Sequence, residues 1–186
     1  MRLLAITILG LIMTIPMNAG EPAATAAEVR PAMVGTTVPD VTLQDKDGQD
    51  VKLAELVASK PTVMVFYRGG WCPFCNRQLA ALGQSQAELA ALGYQIVAIS
   101  PDTPDKLQGT IDANGLSYTV LSDASGAAMG AFGIAFTHKE RVLPVPTVYV
   151  FDTDGTIHFQ YVNPNYKVRL DAGVLLAAAK AAAPKQ

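Results

Sequence analysis

Two cysteines stand three positions apart, Cys72 and Cys75, and the chain has no others. They follow directly on Val63-Met-Val-Phe-Tyr67, a continuous apolar run rich in β-branched and aromatic residues, the pattern of a central strand covered on both faces. They precede Pro73 to Leu92, mostly helix formers, with Leu79, Leu82, Leu89 and Leu92 at spacings that share an apolar stripe. The pair therefore sits where a buried strand turns into a helix. Unpaired N–H groups and the helix dipole stabilise a thiolate there, and thiol pKa values in such settings fall to about 3.5–7.5. Pro73 enters the first helical turn without losing a hydrogen bond. Two thiols so placed close a small disulfide ring, one attacking and the other resolving, which is the machinery of thiol exchange. A permanent disulfide here closes only a short ring and constrains the unfolded chain little. A zinc site needs two more ligands, and His138 and His158 lack the usual short ligand spacing.

The rest of the chain alternates. Gly93 ends the predicted helix, Tyr94 to Ile99 is a second buried strand, and Pro104 to Ala113 is a helix closed by Asn114-Gly115. Strand, helix, strand, helix in this order predicts a parallel sheet. Upstream, Val41 to Leu53 reads as a hairpin around Asp47-Gly48, followed by a helical turn over Ala54 to Ser59. Downstream come a short strand, Tyr118 to Leu121, and a short helix, Ser125 to Phe132, with Ser125 as its cap. Thr147 to Phe151 and Ile157 to Val162 form a terminal antiparallel hairpin. Val168 to Ala183 is the closing helix, held by Leu170, Val174 and Leu175. The expected class is α/β: three layers, a mixed central sheet with helices on both faces and an N-terminal hairpin extension.

The first residues have another character. Arg2 is followed by an uncharged run from Leu3 to Ile15 and then by Pro16, the form of an export signal and shorter than the ~20 residues of a bilayer span. Cleavage is expected after Ala19 or Gly20, or as late as Ala26. The expected organisation is a signal peptide over 1–20, a flexible lead-in rich in Ala and Pro over 21–34, and one domain over 35–186. The protein is then periplasmic or secreted, and meets the membrane only through the signal segment. With 14 Lys and Arg against 16 Asp and Glu and no basic run, nothing in the chain is built to neutralise phosphates, and no nucleic-acid partner is expected.

The residues before the pair, Arg68-Gly69-Gly70-Trp71, carry further chemistry. The glycines permit an unusual backbone path, Arg68 is a candidate charge beside a thiolate, and Trp71 offers an apolar contact face or a shield. Strand, CxxC, helix, then Val145-Pro146-Thr147 entering a strand hairpin and a last helix, resembles the thioredoxin fold over nearly all of residues 35–180. That resemblance implies a cis bond at Pro146 opposite the cysteines, with the Val145 backbone pairing an extended substrate as an added strand. The leading hairpin and the insert from Ser100 to Ile134 are similar to the peroxiredoxin (AhpC/TSA) family. Within it, Phe66-Tyr-Arg-Gly-Gly-Trp-Cys-Pro-Phe-Cys75 resembles the branch that carries CxxC.

Peroxiredoxins use Pro-x-x-x-Thr-x-x-Cys around the peroxidatic cysteine. In that register Cys75 is the peroxidatic position, Arg68 stands at the proline and Cys72 at the threonine, and a later family arginine falls on Pro146. The family's usual peroxide-activating shell is thus missing. Arg68 is then a substitute charge and Cys72 the resolving partner. The resemblance implies a thiol-dependent oxidoreductase that reduces hydroperoxides through a Cys72/Cys75 dithiol–disulfide cycle, fed by a thioredoxin-like or other thiol donor, without cofactor or metal. Thioredoxin-like exchange with a protein disulfide, with Cys72 as nucleophile, is the alternative. A third reading comes from exported copper-assembly proteins of this fold, and would hold Cu(I) between Cys72, Cys75 and His138, although those proteins space their cysteines more widely.

Overall fold

The structure, a computed structural model, describes residues 20–183. The signal segment predicted over residues 1–20 lies outside it up to residue 19.

Seven strands form one sheet in the order β2-β1-β5-β4-β3-β8-β9: β1 (Thr42–Gln44), β2 (Asp50–Lys52), β3 (Thr62–Phe66), β4 (Gln95–Ser100), β5 (Thr119–Ser122), β8 (Thr147–Phe151) and β9 (Ile157–Val162). The centre is parallel, β3 with β4 and β4 with β5, as the alternation of strand and helix predicts. Antiparallel strands close both edges, the β1–β2 hairpin on one side and β8–β9 on the other.

β3 is buried along its whole length, and its period of two divides it between two cores. Met64 and Phe66 join Val97, Ile99, Tyr149 and Phe151 on one face, under α1 (Leu53–Ser59) and α5 (Ala127–Ala131). Val63 and Val65 join Ile96, Val148 and Val150 on the other. That face carries α2 (Pro73–Gln84), α3 (Gln86–Ala91), α4 (Pro104–Asn114) and α6 (Ala172–Ala182). The mixed sheet with helices on both faces is the expected class.

Four local expectations are corrected. The single helix predicted from Pro73 to Leu92 breaks at Ser85, whose hydroxyl bonds back to the Ala81 carbonyl while its N–H bonds the Leu82 carbonyl. A serine that satisfies the preceding turn competes with helix continuation. Ser125 is not the main cap: α5 starts at Ala127, whose N–H the Ser125 hydroxyl accepts at 3.3 Å, while buried Asp123 accepts the Ala128 and Met129 N–H groups at 3.0 and 2.8 Å. Burial raises the Asp123 carboxyl pKa to about 6 against those bonds. The closing helix begins at Ala172, capped by Asp171, and Val174 faces solvent, so Leu175 and Ala179 hold it. The fourth concerns residues 133–146, for which no element was expected: β6 (Ala135–His138) and β7 (Arg141–Pro144) pair as a separate hairpin.

Residues 21–34 run along that hairpin. Ala23 exchanges backbone hydrogen bonds with Ala135 and Thr137, and Arg30 and Ala32 donate to Gly133 and Phe132.

Candidate active site

The site grows from the carboxyl end of β3. After Phe66 the chain leaves the sheet through Tyr67 and Arg68, turns at Gly69 with φ +137°, and enters α2 at Pro73. An L side chain rarely adopts that φ, and a Cβ on Gly69 would also meet the Trp71 ring. The turn is tied down from both sides. The Gly70 N–H donates to the Asp102 carboxylate at 2.7 Å, and Asn76 donates to the Gly70 carbonyl at 2.9 Å. Gly70 lies against the Thr110 side chain so closely that a Cβ would collide with its hydroxyl. Gly70→Ala is expected to lower stability by about 1–3 kcal/mol, the usual range for overpacking. Thermal melting of the variant checks this, and adding Thr110→Ala is expected to restore most of the loss; no recovery would place the strain elsewhere.

Cys72 is the residue before the first turn of α2, in extended conformation, and that turn contains no acidic side chain to neutralise the positive end of the helix. Both cysteines are free and buried. The Cys75 thiol donates to Cys72, and this bond is the largest reason that the Cys72 pKa drops to about 6 against the cost of burial. The backbone N–H groups of Cys75 and Phe74 and the charge of Arg169 act in the same direction. Cys75 is pushed far above the ordinary thiol range, first by serving Cys72 as donor and then by burial. The direction of the two shifts makes Cys72 the member of the pair that gives up its proton first.

Arg169 is the residue that sequence reasoning missed. It comes from the loop between β9 and α6, and one of its Nη atoms lies 3.3 Å from the Cys75 Sγ and 4.0 Å from the Cys72 Sγ. No spacing announces it, because it stands 94 positions from Cys75 in sequence. The charge expected from Arg68 is supplied by Arg169 instead. The Arg68 backbone N–H acts on Cys75 only as a minor influence that lowers its pKa against the donor bond and burial. The Arg68 side chain turns away into a sandwich, the guanidinium 5.3 Å from the Trp71 ring and 4.4 Å from the Tyr166 ring. Arg68 is only 4% exposed, and its Nε has no hydrogen-bond partner. Cation–π contacts contribute ~0.5–2 kcal/mol, whereas a buried unpaired ion costs several kcal/mol. Among the described residues the ion pairs are Lys46–Asp47 and Lys52–Glu55, so no carboxylate balances Arg68.

Trp71 is half exposed and covered on one side by Arg141 at 4.8 Å, which agrees with a contact face more than with a core residue. Pro146 is buried and lines a groove with Arg68 and Tyr166. The cis bond expected there is absent: every peptide bond among the described residues is trans. β7 passes into β8 within two residues, and the extended backbone that this needs is compatible with a trans proline. Nor is Val145 open to a substrate strand. It is fully buried, its N–H donates to the Ile134 carbonyl, and its own carbonyl accepts the Thr147 hydroxyl. The copper ligand set does not assemble, because among the described residues no three His, Cys, Asp or Glu side chains gather, and His138 lies beside Phe136 on the exposed end of β6.

A thioredoxin-like sheet presenting a charged dithiol at a helix N-terminus defines a redox protein of the thioredoxin-fold class. A family profile described as the AhpC/TSA family matches residues 34–160. A protein of Mycobacterium tuberculosis named as a peroxiredoxin is 33% identical over 127 residues, covering 66% of this chain and 80% of that protein. The chloroplastic peroxiredoxin Q of Gentiana triflora is 32% identical over 129 residues, covering 69% of this chain, which spans 58% of that relative's length. Among solved structures, peroxidoxin BcpB of M. tuberculosis superposes with a TM-score of 0.70 at 26% identity, covering 80% of this chain and 97% of its own. The chain belongs to the AhpC/TSA family, the thioredoxin-fold peroxiredoxins.

Proposed function

We propose that this protein is a thiol-dependent peroxidase that reduces hydroperoxides with Cys72 as the attacking thiolate and Cys75 as the resolving thiol. Family membership supports the chemistry. The observation that favours peroxide over protein disulfides is access: Cys72 is 1% exposed and Cys75 fully buried. A peroxide is small enough to reach a recessed sulfur, whereas disulfide exchange needs a partner protein's sulfur in line with the nucleophile. With Val145 already bonded, the strand addition that would align such a partner has no free backbone group to use.

In the first step the Cys72 thiolate attacks the outer peroxide oxygen and the O–O bond breaks. Cys72 is oxidised to the sulfenic acid, and the alcohol or water leaves with a proton. Cys75 then attacks the Cys72 sulfur, forming the disulfide and releasing water. A thiol donor returns two electrons and two protons. The Arg169 guanidinium takes the place of the charge that the family motif would provide, stabilising the thiolate and then the oxygen that departs with negative charge. A second reading has Cys75 attack, as the family register implies; Arg169 is closer to Cys75 than to Cys72.

Export is part of this proposal. Removal of the segment after Ala19 or Gly20 keeps the pairing of Ala23 with β6, whereas cleavage after Ala26 would discard it. The donor is then a thiol protein of the same compartment.

Stopped-flow mixing of the reduced protein with hydrogen peroxide, followed by the fluorescence of Trp71, the only tryptophan, tests the activity. Oxidation is expected to exceed that of a free low-pKa thiol by at least about a hundredfold. A rate no better than the free thiol's overturns the peroxidase reading and leaves disulfide exchange.

A further inference from the structure

The side chains around the dithiol continue into a stack that the peroxide chemistry does not use. Arg141 lies over the Trp71 ring at 4.8 Å, and the Arg68 guanidinium lies between Trp71 and Tyr166 at 5.3 and 4.4 Å. Tyr166 meets Phe74 edge to face at 5.7 Å, and Arg77 covers Phe74 at 4.6 Å. Three cations and three rings therefore form one continuous series, assembled from α2 and the turn before it, β7, and the loop before α6. Trp71 and Phe74 stand on either side of Cys72-Pro73 in the chain, so the stack borders the attacking sulfur. Arg68 is its buried middle rung. Trp71, Tyr166, Arg77 and Arg141 are exposed, as is Lys167, 6.0 Å from the Tyr166 ring.

Exposed tryptophan, tyrosine and arginine side by side are the composition of an interaction surface. Its sign is specific. The chain as a whole has a net charge of −2, yet the charged members of the stack are all cations. None of them is in an ion pair, since among the described residues the pairs are Lys46–Asp47 and Lys52–Glu55. A partner that complements this face carries carboxylates. The place of the face says what else the partner carries, because the species that must return to Cys72 in every cycle is the thiol donor. With Val145 already bonded, side chains rather than strand addition must hold that donor.

We infer that this stack is the docking face for a reducing protein whose dithiol is surrounded by carboxylates. Arg77, Arg141 and Lys167 meet the carboxylates, and Trp71 and Tyr166 supply the apolar contacts between them. The inference rests on the dithiol–disulfide cycle proposed above. One donor thiolate attacks the Cys72 sulfur, and the Cys72–Cys75 bond breaks with its electron pair and a proton going to Cys75. The donor's second thiol then attacks the mixed disulfide, loses its proton and closes the donor disulfide, releasing Cys72 as the thiolate.

The test starts from the disulfide form made with diamide, so it needs no peroxide turnover. Three reduced peptides share a Cys-Gly-Pro-Cys core and carry flanking glutamates, glutamines or lysines. Reduction of the protein is read by acid quenching, alkylation and mass spectrometry. Each rate is divided by that peptide's rate with dithiodipyridine, an uncharged disulfide, which removes differences in thiol reactivity. The glutamate peptide is expected to exceed the glutamine peptide at least about tenfold at low salt, and the lysine peptide by more, the gap closing at about 0.5 M salt. Arg77→Glu combined with Arg141→Glu, both exposed and outside the sulfur chemistry, is expected to reverse the order and leave oxidation by peroxide unchanged. Lys167→Glu, on a separate loop, is expected to act in the same direction and keeps the test decisive if the double variant does not fold. Equal normalised rates for the three peptides overturn the docking face, as does a glutamate preference that survives these substitutions. Capture of the protein by phosphatidylglycerol vesicles, lost in the variants and without any peptide preference, would assign the stack to a membrane surface and overturn the donor. If hydrogen peroxide fails to oxidise the thiols while the diamide-made disulfide keeps the glutamate preference, the peroxidase reading falls and the docking face stands.

Discussion

Cys72→Ser is expected to abolish rapid oxidation by hydrogen peroxide, a loss on the order of 10³-fold or more, because it removes the sulfur that carries the charge. Cys75→Ser is expected to behave differently. It retains the thiolate position and completes one oxidation, then stops at a Cys72 sulfenic acid that nothing resolves. Trapping with dimedone and mass spectrometry after a single addition of peroxide distinguishes the two. Cys75→Ser also removes the thiol that donates to Cys72, so its first oxidation is expected to be slower than in the unaltered protein at neutral pH. If Cys72→Ser instead keeps the single fast oxidation, with the sulfenic acid on Cys75, the family register is right and the assignment of roles made here is reversed.

The second large effect belongs to Arg169. Its guanidinium contributes to the low Cys72 pKa, after the Cys75 donor bond and the backbone N–H of the first helical turn. In the unaltered protein, alkylation of Cys72 by iodoacetamide is expected to fall about tenfold per pH unit below pH 6 and to level off above it, following the thiolate. Arg169→Gln is expected to move that midpoint up by about one unit, the lower end of what a nearby cation does to a thiolate, and to slow oxidation at neutral pH by about 10–100-fold. Arg169→Lys should recover the midpoint better than the rate, because an ammonium supplies charge without the planar fork. A midpoint unmoved in Arg169→Gln, with the rate preserved, would remove Arg169 from the mechanism. The same pKa has a consequence for stability. The folded thiol loses its proton at lower pH than the unfolded one, so the unfolded chain binds more protons in between. The reduced protein therefore gains stability as pH rises from about 6 towards the ordinary thiol range, and loses that gain in acid.

Much of the architecture was legible because it is written in short-range patterns. The β-branched run before Cys72, the helix formers after Pro73 and the Asn114-Gly115 stop each act within a few residues, and the strands and helices stand close to where those patterns place them. The misses share a cause. The break at Ser85 depends on a side chain choosing its own helix's carbonyl, and the cap of α5 on a carboxylate two residues further back than expected. The β6–β7 hairpin has weak alternation and is steadied by a non-local neighbour, the segment around Ala23. Resemblance overreached at Pro146, where the thioredoxin pattern implied a cis bond and an open Val145, and the backbone is trans and already paired.

At the site the division is sharper. The sequence by itself determined the two sulfurs, their three-residue spacing and their seat at a strand-to-helix junction, because a helix N-terminus and a resolving thiol one turn away are local properties of consecutive residues. It also determined that the usual family motif is incomplete. Which arginine serves the sulfurs was decided only by the tertiary structure. Arg68, four residues from Cys72, points away into an aromatic sandwich, while Arg169 arrives from the far end of the chain. A charge acts through distance in space, and that distance exists only after the sheet has brought the end of β3 and the loop before α6 together.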